Sequence, residues 1–166
     1  INEEEEKKKL KKIKKPEKIC KKLAKQKSLV TSLKYSSYFV LGVDTSLIYK
    51  KKFLSKPKTK EDAKKLLKKL NGKEHKIYSS LYIFKNGRKI WSYNDEAKLK
   101  IRKLTNMEIV KYINKLKLTN IKTSGLYQVE GSGITLFEKI KGSYFTILGL
   151  PLLPLLRFLQ KKNFLI

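Results

Sequence analysis

One cysteine, Cys20, and one histidine, His75, stand in 166 residues. That scarcity excludes a disulfide framework and a Cys/His zinc cluster. A chain with no disulfide fits a reducing, cytoplasmic setting. Arginine is nearly missing too: only Arg88, Arg102 and Arg157 occur among 41 basic residues. Bidentate phosphate and base recognition leans on arginine, so a dedicated nucleic-acid reader is disfavoured. No apolar run reaches the length of a membrane span, because Pro151, Pro154 and Arg157 interrupt the longest one, TILGLPLLPLLRFL. The opening INEEEEKKKLKK has no apolar core after its charges and does not read as a signal peptide. Starting on Ile1, it reads as a fragment that lacks upstream sequence.

Lysine is what the chain has in excess. The net charge is +27, with 41 Lys+Arg against 14 Asp+Glu. Such a balance raises nucleic-acid binding through phosphate neutralisation. The lysines are spread along the whole chain, however, and aromatics are not interleaved with them as a stacking platform requires. A solvated, lysine-biased surface is the favoured reading. A content of 40% hydrophobic residues is enough for one domain with a core.

Pattern gives an α/β order. Glu17 to Leu33 has Ile19, Leu23, Leu29 and Val30 at helical spacing. Tyr38 to Val43 is a short apolar run, hence a central strand ending at Asp44, and TSLIY is a second strand or hairpin arm. Thr59 caps a helix to Leu70, with Glu61 and Asp62 in its first turn and Gly72 past its end. Lys76 to Phe84 is a strand, Asn86-Gly87 is a hairpin turn, and Lys89 to Lys103 returns with Ile90, Leu99 and Ile101 facing inward. Thr105-Asn-Met-Glu108 is a capping box for a helix to about Leu116. TILGL is a buried strand before a proline-started terminal helix. Together these predict a mixed central sheet flanked by helices.

Within that frame Asp44 draws attention. A carboxylate at the end of a central strand lies where open α/β sheets bind ligands. Its natural partner is a divalent cation, since Mg²⁺ is held by one or two carboxylates plus phosphate oxygens. Lys56, twelve residues on and fixed by Pro57, is a point charge suited to the same phosphates. Spacing alone favours a surface aspartate and an exposed lysine. His75 reads as structural, Cys20 as packed, Tyr127 and Tyr144 as core. Gly131-Ser132-Gly133 reads as a tight turn.

The ordered motifs resemble the Maf family of nucleoside triphosphate pyrophosphatases. LAKQK (Leu23–Lys27), VLGVDT (Val40–Thr45), SKP (Ser55–Pro57), EDAKKLLKKLNGKEHKIYSS (Glu61–Ser80) and GLYQVEGSGITLFEKIKGSYFTILGLPLLPL follow the family's order. The likeness runs from Ile1 to about Leu159. It implies hydrolysis of a nucleoside triphosphate to a monophosphate and pyrophosphate, in the house-cleaning of non-standard nucleotides. It also implies an elongated two-lobed fold like that of inosine triphosphatases, a single domain over 1–166, a homodimer, and a Mg²⁺ or Mn²⁺ cofactor. On this resemblance Asp44 and Glu3 are the metal-binding, water-activating carboxylates, and Lys27 and Lys56 hold phosphates. The family's S-x-S-x-R-R motif would lie just before Ile1. Where many members have D-K-A-G and a glutamine before glycine, this chain has Lys122-Thr123-Ser124-Gly125 and Glu130-Gly131. Glu130 as a substrate-binding residue resembles the subgroup acting on 7-methyl-GTP or CTP/UTP. The alternatives are a catalytically degenerate nucleotide binder and a basic nucleic-acid-binding protein.

Overall fold

The structure is a computed structural model and describes residues 15–119, 121 and 126–164. The chain forms α1 (Pro16–Lys34), β1 (Val40–Tyr49), β2 (Lys52–Leu54), α2 (Lys60–Leu70), β3 (Glu74–Lys85), β4 (Arg88–Ile101), α3 (Asn106–Lys115), a 3-10 turn (Ser132–Leu136), β5 (Phe137–Lys141), α4 (Tyr144–Leu148) and α5 (Leu152–Lys161). The five strands make one sheet in the order β2-β1-β3-β4-β5. This is the expected α/β class. The described residues fall in two compact units: 15–53, 77–97 and 142–164, and 54–76 with 98–119, 121 and 126–141.

In the first unit α1 lies on β1 by giving up side-chain bulk. Cys20, Ala24, Ser28 and Ser32 recur every fourth residue and are fully buried. They face Gly42, where a Cβ would come within 2.4 Å of Ala24 O and 2.6 Å of Ser28 N. The apolar spacing misses this seam: Val30 is exposed, while small residues form the contact. On the opposite side Leu81, Ile83, Leu155 and Phe158 form a core joined by Val43, Trp91, Leu150 and Leu159. Trp91 stacks on Phe158 with ring centroids 4.9 Å apart. Two further expectations change in this unit. TIL is the end of α4, not a strand, and Ile90 and Tyr144 are exposed.

The hairpin turns differ in chemistry. Asn86 and Gly87 both take positive φ (46° and 69°), the demand of a type I′ turn. Between β1 and β2 the same demand falls on Lys50 (φ 49°) and Lys51 (φ 59°).

The second unit is organised by caps. Thr59 with Asp62, and Thr105 with Glu108, form reciprocal capping boxes on α2 and α3. Asn71, at the end of α2, donates Nδ2 to Leu104 O and accepts Leu104 N at Oδ1, both at 2.8 Å. This fixes the segment entering α3. Arg102 binds Glu108 Oε1 at 2.8 Å, and that contact with the Thr105 backbone holds the Glu108 carboxyl down at about 2. β4 and β5 pair antiparallel, with a bulge at Lys100/Ile101. Leu99 and Ile101 are buried as expected.

Candidate active site

Asp44 is not at a strand end. It sits mid-way along β1, which continues for five more residues to Tyr49. Along a strand successive side chains alternate faces. Asp44 therefore turns to the same side as Gly42, toward α1. Lys27, on α1, donates from Nζ to Asp44 Oδ1 at 3.0 Å and to Val43 O at 3.2 Å. The carboxylate is 4% exposed and the lysine side chain 27%, so the pair has a wet cationic end and a dry anionic one. Because small residues let the helix approach closely, a lysine of α1 can lie down onto the strand rather than extend into water.

Cys20 supports the same strand from beneath. Its Sγ donates to Asp44 O at 3.2 Å and also approaches Tyr78 O at 3.4 Å. Burial, reinforced by the nearby Asp44 charge, pushes the thiol up to about 12. It is a packed, protonated group, as its helical position suggested, and no nucleophile.

The face of β1 away from α1 carries a set of hydroxyls that sequence reasoning did not single out. Thr45 Oγ1 donates to Gly149 O at 3.1 Å and lies 3.0 Å from Ser79 Oγ. Ser79 Oγ donates to Thr146 O at 3.0 Å, and Thr146 Oγ1 donates to Asp95 Oδ2. On the α1 side of the sheet, Ser80, the residue after Ser79, donates from Oγ to Asn94 Oδ1 at 2.7 Å. Serines and threonines in strands carry no hydropathy signal, so only their positions after folding disclose the cluster.

The remaining candidates belong to the second unit or lie outside the described residues. Lys56 is exposed between β2 and α2, and Pro57 behind it is buried. Glu130 is exposed in the turn that precedes Ser132–Leu136. Gly131 N donates to Gln128 O at 3.1 Å, so the Gly-Ser-Gly stretch is a tight turn. His75 is buried, its Nε2 2.6 Å from the Tyr127 hydroxyl. Burial lowers it to about 4, so it stands neutral, as a structural histidine does. Glu3 and Lys122-Thr123-Ser124-Gly125 lie outside the described residues.

A family model described as Maf-like protein matches residues 1–162. The chain belongs to the Maf-like family. Curated relatives carry two kinds of name. A nucleoside triphosphate pyrophosphatase of Pelagibacter ubique is 37% identical over 142 residues, covering 86% of this chain and 73% of that protein. One of the same name from Rhodopseudomonas palustris is 36% identical over 150 residues, 90% of this chain and 74% of the relative. A 7-methyl-GTP pyrophosphatase of Bartonella quintana is 38% identical over 148 residues, 89% and 75%. Asp44 and Lys27, which the Maf-like motifs place 17 residues apart in sequence, are thus a bonded pair in the fold.

Among the described residues no three His, Cys, Asp or Glu side chains cluster to hold a metal ion. That donor set suits a cation taken by one or two carboxylates and completed by phosphate oxygens and water, the habit of Mg²⁺, and does not suit an all-protein cage. Asp44 could serve as one such carboxylate, and a cation reaching it would share it with Lys27 or displace the ammonium. No helix among the described residues is long and apolar enough to cross a membrane.

Proposed function

We propose that this Maf-like chain hydrolyses a nucleoside triphosphate to its monophosphate and pyrophosphate, with Asp44 and Lys27 at the reacting end. Water attacks the α-phosphorus, the bond from that phosphorus to the bridging oxygen breaks, and pyrophosphate departs while the attacking water's proton passes to Asp44 or to solvent. The observation that carries this reading is the buried Asp44 carboxylate of β1 bonded to Lys27 of α1, in a chain matched by the Maf-like model over residues 1–162.

Each residue has a physical task. Asp44 accepts from the attacking water or binds the divalent cation, Mg²⁺ or Mn²⁺, which when bound neutralises phosphate charge. Lys27 holds the carboxylate in place and presents its wet end to a phosphate oxygen. Lys56 is a compact charge for the leaving pyrophosphate, where charge accumulates in the transition state. Glu3 is the second carboxylate of the proposal, and Glu130 is a contact for the base. The names of the relatives put 7-methyl-GTP first among the substrates to try; CTP and UTP follow from the subgroup that Glu130 resembles, and dTTP completes the panel. A homodimer belongs to the same proposal, and sedimentation of the purified chain tests it.

The deciding assay is pyrophosphate release from that panel with Mg²⁺ or Mn²⁺, for the starting chain and for Asp44→Asn. The reading requires release from at least one triphosphate and a loss of roughly 100-fold or more in Asp44→Asn, an amount equal to about 3 kcal/mol of barrier. Equal turnover by the two proteins removes Asp44 from the chemistry. No release from any triphosphate by a folded chain overturns the proposed hydrolysis.

A further inference from the structure

We infer that Asp95 is a positioning residue for Asp44, acting through Thr146, Ser79 and Thr45. The inference rests on the function proposed above.

Asp44 is held by α1 on one face of β1, and its neighbour Thr45 is held by α4 on the other. α4 is short, Tyr144–Leu148, and closes on Gly149 in the left-handed region (φ 105°). At the end of α4 the Thr146 carbonyl accepts Gly149 N at 3.2 Å and also Ser79 Oγ at 3.0 Å, and the Gly149 carbonyl accepts Thr45 Oγ1 at 3.1 Å. Thr146 is buried and Gly149 half-buried, while Leu148 is exposed. With the 3.0 Å approach of Thr45 Oγ1 to Ser79 Oγ, three contacts draw on two hydroxyl hydrogens, so one hydrogen is shared between two acceptors. The end of α4 and the Thr45 side chain next to Asp44 therefore share one set of bonds.

Asp95 fixes the far end of that set. Thr146 is fully buried, and its hydroxyl donates to Asp95 Oδ2. The other carboxylate oxygen, Oδ1, accepts Glu96 N at 2.9 Å. A carboxylate acceptor makes a stronger bond than a neutral one. Without it the buried hydroxyl must find another acceptor, and the nearest solution is for α4 to turn. That movement draws Thr146 O and Gly149 O away from Ser79 and Thr45. β1 then loses its restraint on the face opposite Lys27, and Asp44 is free to drift. Misplacement of a reacting group by about 1 Å costs on the order of 100-fold in rate.

The test uses Asp95→Ala, Asp95→Asn and Thr146→Val, with Glu96→Ala as a control, in the full chain. Two readouts are taken well below the unfolding temperature: kcat and KM for pyrophosphate release, and the ¹³C NMR chemical shift of the Asp44 carboxyl carbon at a single neutral pH. Asp95→Ala and Thr146→Val should lower kcat about tenfold with KM within about twofold, and should move that chemical shift. Asp95→Asn retains an acceptor and should restore both; Glu96→Ala should change neither. The idea is overturned if Asp95→Ala and Thr146→Val lower only the unfolding temperature, with kcat and the Asp44 chemical shift unmoved. Equal losses in Asp95→Asn and Asp95→Ala would also overturn it, since charge rather than the bond would then matter. The NMR arm decides the point even in a chain that releases no pyrophosphate, so failure of the proposed function is told apart from failure of this inference.

Discussion

Lys27 Nζ and Asp44 Oδ1 are 3.0 Å apart, the lysine partly wet and the aspartate almost wholly buried. This asymmetry sets the strength of the pair. An exposed ion pair contributes about 0–1 kcal/mol, whereas removing one partner of a buried pair costs about 3–5 kcal/mol. With one end in water, a coupling of roughly 1–3 kcal/mol is expected. A double-mutant cycle of Lys27→Met and Asp44→Asn, measured by urea unfolding, should return that coupling. Additive losses in the two single variants would mean that the contact contributes nothing. Lys27→Met should also lower kcat/KM more than Lys18→Met, which alters a lysine elsewhere on α1.

Gly42 tests why α1 reaches β1 at all. A methyl group there would meet backbone atoms of α1 at 2.4 and 2.6 Å, and backbone cannot rotate aside. The helix would have to lift off the strand, and with it Lys27. Gly42→Ala should destabilise the fold by about 2–3 kcal/mol, near the upper end of overpacking. Differential scanning calorimetry reads this as a fall in Tm, and activity should fall further than stability alone explains. An unchanged Tm would show that the seam has slack.

Local chemistry was legible where the signal is short-range. The capping box at Thr105, the Thr59 cap with Asp62, the Asn86-Gly87 turn and the glycine after α2 each depend on a few adjacent residues, and each forms as read. The α1–β1 seam was hidden because small residues form it, and hydropathy rewards bulk. Asp44 looked like a strand end because a charge terminates an apolar run. The strand continues because Lys27 balances that charge from another element, a contact invisible to periodicity. The Thr146–Leu148 end of α4 was read as part of a strand because β-branched Thr146 and Ile147 disfavour a helix and Gly149 and Pro151 follow closely. That end is held by Gly149 and by hydroxyls from β1 and β3, so tertiary bonds decide its form. The family resemblance linked Lys27 and Asp44 to one site, as a phosphate cation and a carboxylate, but their direct bond appears only in the fold.

His75 makes stability depend on pH in a defined window. Its folded value is about 4 against an ordinary 6.5, because burial beside Tyr127 and Phe137 opposes the charged ring. Between those values the unfolded chain binds more protons than the folded one, so stability falls as pH drops. The contribution is whole above pH 6.5, declines as pH falls toward 4 and is flat below. The total is roughly 3 kcal/mol. Urea midpoints at neutral pH and across this window should show the loss, and His75→Gln, which does not titrate, should flatten it. Glu108 acts in the same direction at lower pH, between its ordinary 4.5 and about 2. A profile unchanged by His75→Gln would place the proton elsewhere.

The two hairpin turns of the chain make a paired experiment. Asn86-Gly87 meets the backbone demand of its turn with residues that tolerate positive φ, and Lys50-Lys51 meets the same demand with residues that do not. A side chain in the left-handed region costs about 1–2 kcal/mol, and asparagine and glycine relieve much of it. Lys50 also places its ammonium 5.7 Å from the Tyr49 ring, a contact of about 0.5–1 kcal/mol that the replacement forfeits. The strain outweighs the contact. Lys50→Asn with Lys51→Gly should therefore stabilise the fold by about 1 kcal/mol and raise Tm by about 2–4 °C. The opposite exchange, Asn86→Lys with Gly87→Lys, should lower Tm by at least as much, because a Cβ at Gly87 would also come within 2.8 Å of Leu33. Should the first variant melt lower than the starting chain, the cation over Tyr49 contributes more than the relief of strain at both lysines.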